Sequence, residues 1–338
     1  MIPPRLKSIA KVALSVATTL IGLLIVTFVI SRMLPTDPVL AVVGDHASES
    51  TIAAARVKLG LDKPIPIQFA LYLGDVLRGD FGQSVRTGKP IIEELAHVFP
   101  ATLELATLGT LIGVVLGIPL GVWAAVRKDR PVDHFVRFFG LIGYSMPIFW
   151  LGLMGLLVFY AKLDLLPGPG RLDFGYEELV TPITGLMTVD TLIAGDYDPF
   201  FNALMHLILP ASLLGYYSLA YISRMTRSLM LGQLHQEYIL TARVKGVSET
   251  RIVWKHAMGN ILVPLITVIA LSYGNLLEGS VLTETVFTWR GLGLYITDSI
   301  FGQDMPAVMG GTIVVGAIFI VINMLTDVTY RLLDPRAK

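Results

Sequence analysis

Apolar side chains fall into six long runs, at about residues 9–33, 101–126, 135–163, 203–223, 261–282 and 307–325. Each is close to the ~20 residues that a helix needs to cross hydrocarbon, where only a helix or a closed barrel satisfies its own backbone. Residues 34–100 lie between the first two runs, and there "LGLDKPIPIQFALYLGDVLRGDFGQS" repeats apolar positions at helical spacing between Gly and Pro breaks. That spacing predicts short helices outside the spans, and residues 164–202 form a second long loop. A third polar stretch, residues 225–260, separates the fourth and fifth runs. It predicts two short amphipathic helices broken at Gly246, with Tyr238, Leu240 or Thr241, and Val244 on nearby faces and Ser248 as the N-cap of the second. Glycine is the natural residue for a turn with positive φ. The whole pattern predicts an all-α membrane protein with six transmembrane helices in a single transmembrane domain, residues 1–338.

Composition agrees with the pattern. The chain is 54% hydrophobic and 15% charged, with a mean hydropathy of +0.68, too apolar for one soluble core to hide. Formal net charge is zero, so bulk charge points to no partner, and no basic tail suggests nucleic acid. The absence of cysteine excludes disulfides, thiolate metal sites and a cysteine nucleophile.

Charge distribution sets an expected orientation. Arg5, Lys7 and Lys11 precede the first run; Arg127, Lys128, Arg130 and Arg137 lie between the second and third; Arg224, Arg227, Arg243, Lys245, Arg251 and Lys255 lie between the fourth and fifth; Arg331, Arg336 and Lys338 close the chain. These segments fall on one side, which the positive-inside rule makes cytoplasmic, so both the N and C termini are expected to be cytoplasmic. The opposite side holds the acid-rich loop with Asp164, Asp173, Glu177, Glu178, Asp190 and Asp196 against Arg171 alone. The N-terminal apolar run exceeds the roughly 7–15 residues of a signal-peptide core and lacks a small-residue exit, which predicts an uncleaved first span.

Candidate chemistry is sparse. Gly82-Gln-Ser-Val-Arg-Thr-Gly88-Lys89-Pro90 has five residues between its glycines where a phosphate loop needs four, and Pro90 where that loop has Ser or Thr. It reads as a loop turn. Gly143-Tyr-Ser145-Met-Pro147 resembles a nucleophile elbow but lies in an apolar run with no strand before it, and reads as a Pro-kinked helix. His46, His97, His134, His206, His235 and His256 include no i, i+4 pair. Acids inside apolar runs are functional candidates because an unpaired charge in hydrocarbon is costly. Glu104, Glu284 and Asp327 stand near run ends, where interfacial or helix-pairing roles compete, whereas Glu278 lies deeper among small residues.

The length of residues 225–260 needs its own account, since a plain connection takes about four to six residues. Physics alone leaves two readings of its basic pattern: a helix on anionic headgroups, or a dock for a protein partner. "EYILTARVKGVSETRIVWKHAMGNILVP" resembles the cytoplasmic motif of ABC-importer permeases, the loop that docks on an ATP-hydrolysing subunit. Thr241, Ala242 and Gly246 stand at its Ala-Ala and Gly positions, and Ile261 and Pro264 at its closing Ile-x-x-Pro; Leu240 replaces Glu and Val263 replaces Leu. "MLPTDPV", "ATLELA", "GYSMPIFWLGL", "HLILPASLLG", "RMTRSLML", "LTETVFTWRGLG" and "NMLTDVTYRLLDPR" resemble the first permease subunit of the dipeptide, oligopeptide and nickel branch, with Arg290 where that branch commonly has Pro. "TPITGLMTVDTLIAGD" is similar to the dipeptide subgroup in particular.

The resemblance implies a bacterial or archaeal cytoplasmic-membrane importer of two related permeases and two ATP-binding subunits, fed by an external substrate-binding protein. This chain would be a pore-forming subunit and not an enzyme, with no cofactor of its own, and with ATP and Mg on the partner subunits. The coupling residues implied are Glu237, Thr241, Ala242, Arg243, Lys245, Gly246, Arg251 and Pro264, with Arg243, Lys245 and Arg251 meeting acids on the ATPase. Tyr273, Asn275 and Glu278 are the candidates for the substrate pathway. Dipeptides or short peptides are the implied cargo; nickel, glutathione or oligosaccharide permeases, and a secondary transporter outside the ABC class, are the alternatives.

Overall fold

The computed structural model describes residues 4–33, 39, 47–58, 60–177, 179–195 and 197–333. His46, Glu178, Asp196, Arg336 and Lys338 lie outside the described residues, as do the side chains of Arg5, Lys7, Lys11, Glu177, Asp327 and Arg331. The described chain is helical, with an isolated bridge between Gln83 and Pro90. It divides into two compact units, residues 1–99 with 294–321 and residues 100–293 with 322–338.

In the first unit, α1 (Pro4–Met33) is followed by α2 (Glu49–Lys58) and α3 (Ile65–Leu77). Both short helices lie in the long loop, and α3 falls within the stretch whose spacing predicts one. Phe28 of α1 stacks on Tyr72 of α3 with ring centroids 5.8 Å apart. The glycine-rich segment before α4 (Ile91–Val126) is a tight turn, with Gly82 and Gly88 at φ 81° and 70°. Ser84 donates to Asp304 at 2.5 Å, and Asp304 caps α12 (Met305–Leu333) through the Ala307 amide. Helix α11 (Leu292–Phe301) precedes that cap.

In the second unit, α5 (Pro131–Ser145) leads into α6 (Ile148–Gly155), which continues as a π-helical turn through Lys162. The expected kink at Gly143–Pro147 is a full break: the two helices meet at 97°. Met146 adopts an extended conformation, ψ 134°, because the residue before proline is driven out of the α region. Beyond α7 (Met187–Ala194), α8 (Tyr197–Leu234) runs 38 residues, well past the expected span end at 223. At about 1.5 Å per residue it outreaches the hydrocarbon. Hence part of the expected loop 225–260 is helix, and the connection shrinks to a short helix with its two turns. α9 (Glu237–Val244) is that helix, and α10 (Glu249–Val286) follows.

Packing of α4 on α8 rests on Gly109, Gly113, Gly117 and Gly121, one small residue every four positions. A Cβ at Gly121 would lie 2.5 Å from the Ser223 carbonyl, and one at Gly113 would overlap Ser218. Stripes of this kind let helix backbones approach where no hydrophobic drive separates helix from lipid. α10 packs against the same long helix, and Ser218 and Ser272 share a buried hydrogen bond of 3.0 Å. Among the described residues, α4, α8, α10 and Met305–Thr326 of α12 are long and apolar enough to cross a membrane singly, and the bent α5–α6 pair adds a fifth. The apolar stretch of α1, Val16–Ile30, is shorter.

Candidate functional site

The basic stretch folds as a short helix clamped onto a long one. α8 ends at Leu234, the chain turns at His235 and Gln236, and α9 follows, packed against the start of α10. Ile239 is fully buried in a cluster with Met230, Ile252, Val253, Ala257 and Ile261, with Ala242 and Val247 packed at its edge. The inward side of α9 is therefore the Ile239–Ala242 side, three residues apart on one helical face. The opposite face carries Glu237, Leu240, Thr241 and Val244; Leu240 is 63% exposed and Val244 81%. Leu240 and Val244 are thus held outward on a helix whose other side is anchored in the core.

Gly246 makes the turn with φ +77°, as its position predicts, and its amide donates to the Arg243 carbonyl at 2.9 Å. A Cβ there would meet nothing within 4 Å, so backbone conformation and not space demands glycine. Arg243 forks onto Glu249 at 2.7 and 3.2 Å across the turn. Both groups are well exposed, and such a pair contributes about 0.2–1 kcal/mol; it holds the turn without dominating it. Ser248 occupies the N-cap position with extended backbone but makes no capping hydrogen bond through its side chain. The second short helix expected there is the first turn of α10: residues Glu249–Arg251 run through a π-helical segment, Ile252–Ala257, into the long helix.

The remaining predicted coupling residues separate into two groups. Lys245 and Arg251 are exposed beside α9, while Pro264 lies within α10 two turns beyond the π segment. Thr241 donates to the Glu237 carbonyl at 3.0 Å. Next to this corner a cavity of about 370 Å³ opens between the end of α4 and the start of α10, walled by Trp123, Trp254 and Pro119.

The three pathway candidates do not share a face. Asn275 and Glu278 are exposed, together with Leu271 and Leu282, at the spacing of one helical stripe along α10. Tyr273 points elsewhere and shares a hydrogen bond of 3.1 Å with Thr107 on α4.

Glu104 and Glu284 build the far end of this unit, a role that their sequence positions leave open between interface and helix pairing. Glu104, 6% exposed, accepts Arg171 at 2.7 Å and both the amide and hydroxyl of Thr188 at 2.9 and 2.6 Å. Arg171 also donates to the Gly185 carbonyl at 2.9 Å and lies over the Trp289 ring, 5.4 Å from its centroid. Fully buried Glu284 accepts from Thr102 and Ser280 at 2.7 and 2.9 Å. Gly291 is required beside it, since a Cβ would lie 2.6 Å from the carboxylate and 2.5 Å from Thr102 Oγ1. The "TWRGLG" segment is thus a lid over a buried acid, and exposed Arg290 takes no part in it. In the first turn of α7, burial pushes the Asp190 carboxyl up, but hydrogen bonds from Thr184 and Gly185 in the preceding loop outweigh it and hold the group below the usual carboxylate range.

Known proteins resemble this chain along most of its length. Residues 117–338 match the family described as "Binding-protein-dependent transport system inner membrane component", and residues 5–106 its N-terminal counterpart. The chain is 46% identical to the "Probable D,D-dipeptide transport system permease protein DdpB" of Escherichia coli K12, covering 93% of this chain and 92% of that one. It is 42% identical to the dipeptide transport system permease protein DppB of Haemophilus influenzae, covering 98% and 99%. Among solved structures, one of the MetNI methionine ABC transporter in an inward-facing conformation superposes with a TM-score of 0.50 at 17% identity, over 69% of this chain and 93% of that one; this likeness concerns the fold. With both halves of the sequence matched and relatives this similar along nearly its full length, the chain belongs to the family of inner-membrane components of binding-protein-dependent transport systems.

Proposed function

We propose that this chain is one of two related permease subunits of an ATP-driven importer of dipeptides or short peptides, and that α9 is its mechanical link to a separate ATPase. It crosses the membrane six times, α1 and the bent α5–α6 pair each counting once, with both termini in the cytoplasm. An external binding protein delivers the peptide, and two ATP-binding subunits supply energy. Relatives named for dipeptide transport support the cargo, and the skewed placement of Lys and Arg supports the orientation. Substrate passes along the stripe of Asn275 and Glu278.

One observation carries the coupling role: α9 keeps Leu240 and Val244 outward while Ile239 anchors its other side in the α8–α10 core. Closure of the ATPase pair on ATP moves the docked helix, and the buried cluster passes that motion to α10. A lever of this kind acts only through contacts that differ between two states. Its basic neighbours Lys245 and Arg251 pair with acids on the ATPase, and Arg243 keeps the corner closed through Glu249. Glu237 and Thr241 line the docked face, Ala242 sets the close approach of α9 to its base, and Pro264 lets α10 bend above the corner.

The test is purification of the chain from its own membrane in mild detergent. The wild-type chain brings down the second permease and both ATP-binding subunits. Leu240→Asp with Val244→Asp forfeits about 1.5–3 kcal/mol of burial at each side chain, so the ATPase subunits are lost while the second permease stays. Retention of the ATPase by that variant contradicts a docking role for α9.

A further inference from the structure

We propose that the cleft between α5 and α8 is a binding site for the headgroup of an anionic phospholipid. This cleft, of about 580 Å³, is separate from the coupling corner and from the Asn275–Glu278 stripe. It carries Arg137 and His134 from α5 and Arg224 and Arg227 from α8. An acid buried beside it is already committed. Asp133, fully buried, takes a two-point contact from Arg227 at 2.5 and 2.7 Å and the Asp129 amide at 2.9 Å.

Two further guanidinium groups make no direct contact with an acid, Arg137 sensing the committed Asp133 only through space. Among the described residues, no carboxylate forms an ion pair with Arg137 or Arg224. Arg224 instead lies over the Tyr144 ring at 5.0 Å, a contact that fixes the guanidinium while leaving its donors free for an anion. A charge in a membrane protein that lacks an acid partner is expensive unless it meets water or an anion. The planar donor fork of arginine suits a phosphate oxygen pair.

Hydrophobic surroundings select the source of that phosphate. His134, Arg137, Phe138, Leu141 and Tyr144 recur at three- and four-residue steps and so share one stripe of α5. Its charged end gives way to Phe138 and Leu141, which are 64% and 63% exposed. A basic end joined to an open apolar wall fits a phosphodiester with an acyl chain attached and wastes its apolar half on a free ion. The inference requires membrane residence only and stands apart from the identity of the cargo or the ATPase.

The purified transporter, stripped of native lipid and placed in phosphatidylcholine nanodiscs, is titrated with phosphatidylglycerol, and bound lipid is read by mass spectrometry. Arg137→Gln with Arg224→Gln is expected to weaken phosphatidylglycerol binding roughly thirty-fold, at the usual gain for each basic residue near a membrane surface. Arg137→Gln alone changes one exposed side chain and is expected to weaken it about fivefold. Lys128→Gln with Arg130→Gln, basic residues outside the cleft, leaves binding unchanged. Equal binding by the cleft variants and the wild type overturns the proposal. So does displacement of the lipid by inorganic phosphate, which assigns the cleft to a free anion, and so does loss of the second permease on substitution, which assigns it to a protein partner.

Discussion

Replacing Gly246 with valine is expected to cut peptide uptake per ATP hydrolysed by about tenfold or more, while Gly246→Asn keeps most of it. The reason is conformational. Gly246 sits at φ +77°, a left-handed geometry that costs an ordinary L-residue about 1–2 kcal/mol and a β-branched one more, whereas asparagine visits it readily. A side-chain carbon added at this position would meet nothing within 4 Å, so bulk alone is harmless and the asparagine variant separates conformation from size. Valine is expected to relieve its strain by re-angling α9 against α10, which would turn Leu240 and Val244 away from the proposed dock. On the proposed division of labour, basal hydrolysis is expected to continue, because that chemistry would lie on the ATPase subunits. Uptake and substrate-stimulated hydrolysis are measured in vesicles; wild-type coupling in Gly246→Val contradicts the lever.

Arg171→Met is expected to destabilise the second unit by about 3–5 kcal/mol, the usual result of stranding one member of a buried ion pair. Arg171 and Glu104 have side chains only 12% and 4% exposed. Removal of the guanidinium leaves the Glu104 carboxylate with the Thr188 donors alone and removes the contact with the Trp289 ring. Arg171→Met with Glu104→Gln is expected to lose less than the two single losses added, because the second change removes the stranded charge. Thermal unfolding followed by tryptophan fluorescence in detergent reads both, and Trp289 places a reporter on the pair itself. A loss under about 1 kcal/mol in Arg171→Met contradicts a structural role for the pair.

These two sites differ in how far the sequence reveals them. Gly246 is legible because a turn between two amphipathic segments is a local matter, settled by neighbours within a few residues. The inward and outward faces of α9 follow from the same helical period once Ile239 is known to be the buried one. What periodicity cannot supply is which helix lies opposite. Glu104 meets Arg171 across 67 positions, and Glu284 meets Thr102 across 182, so both acids read locally as polar residues near the end of an apolar run. The glycines at 109, 113, 117 and 121 carry a clear four-residue period that marks a close helix contact. The break after Ser145 is present locally too, in Met146 before Pro147, but a proline in an apolar run is equally compatible with a kink. The overlong α8 defeats a reading of its end from hydropathy, because apolarity stops at the lipid boundary while hydrogen bonding does not. Its buried Met230 continues the helical period among polar neighbours.

In the proposed mechanism, energy enters this chain from an ATPase through α9. Reconstituting the complete transporter in vesicles and measuring ATP hydrolysis with empty and with dipeptide-loaded binding protein tests it most directly. Hydrolysis is expected to rise with the loaded binding protein alone, and the rise to disappear in Leu240→Asp with Val244→Asp. Hydrolysis indifferent to the loaded binding protein, or a chain that reconstitutes peptide uptake with no ATPase present, contradicts it.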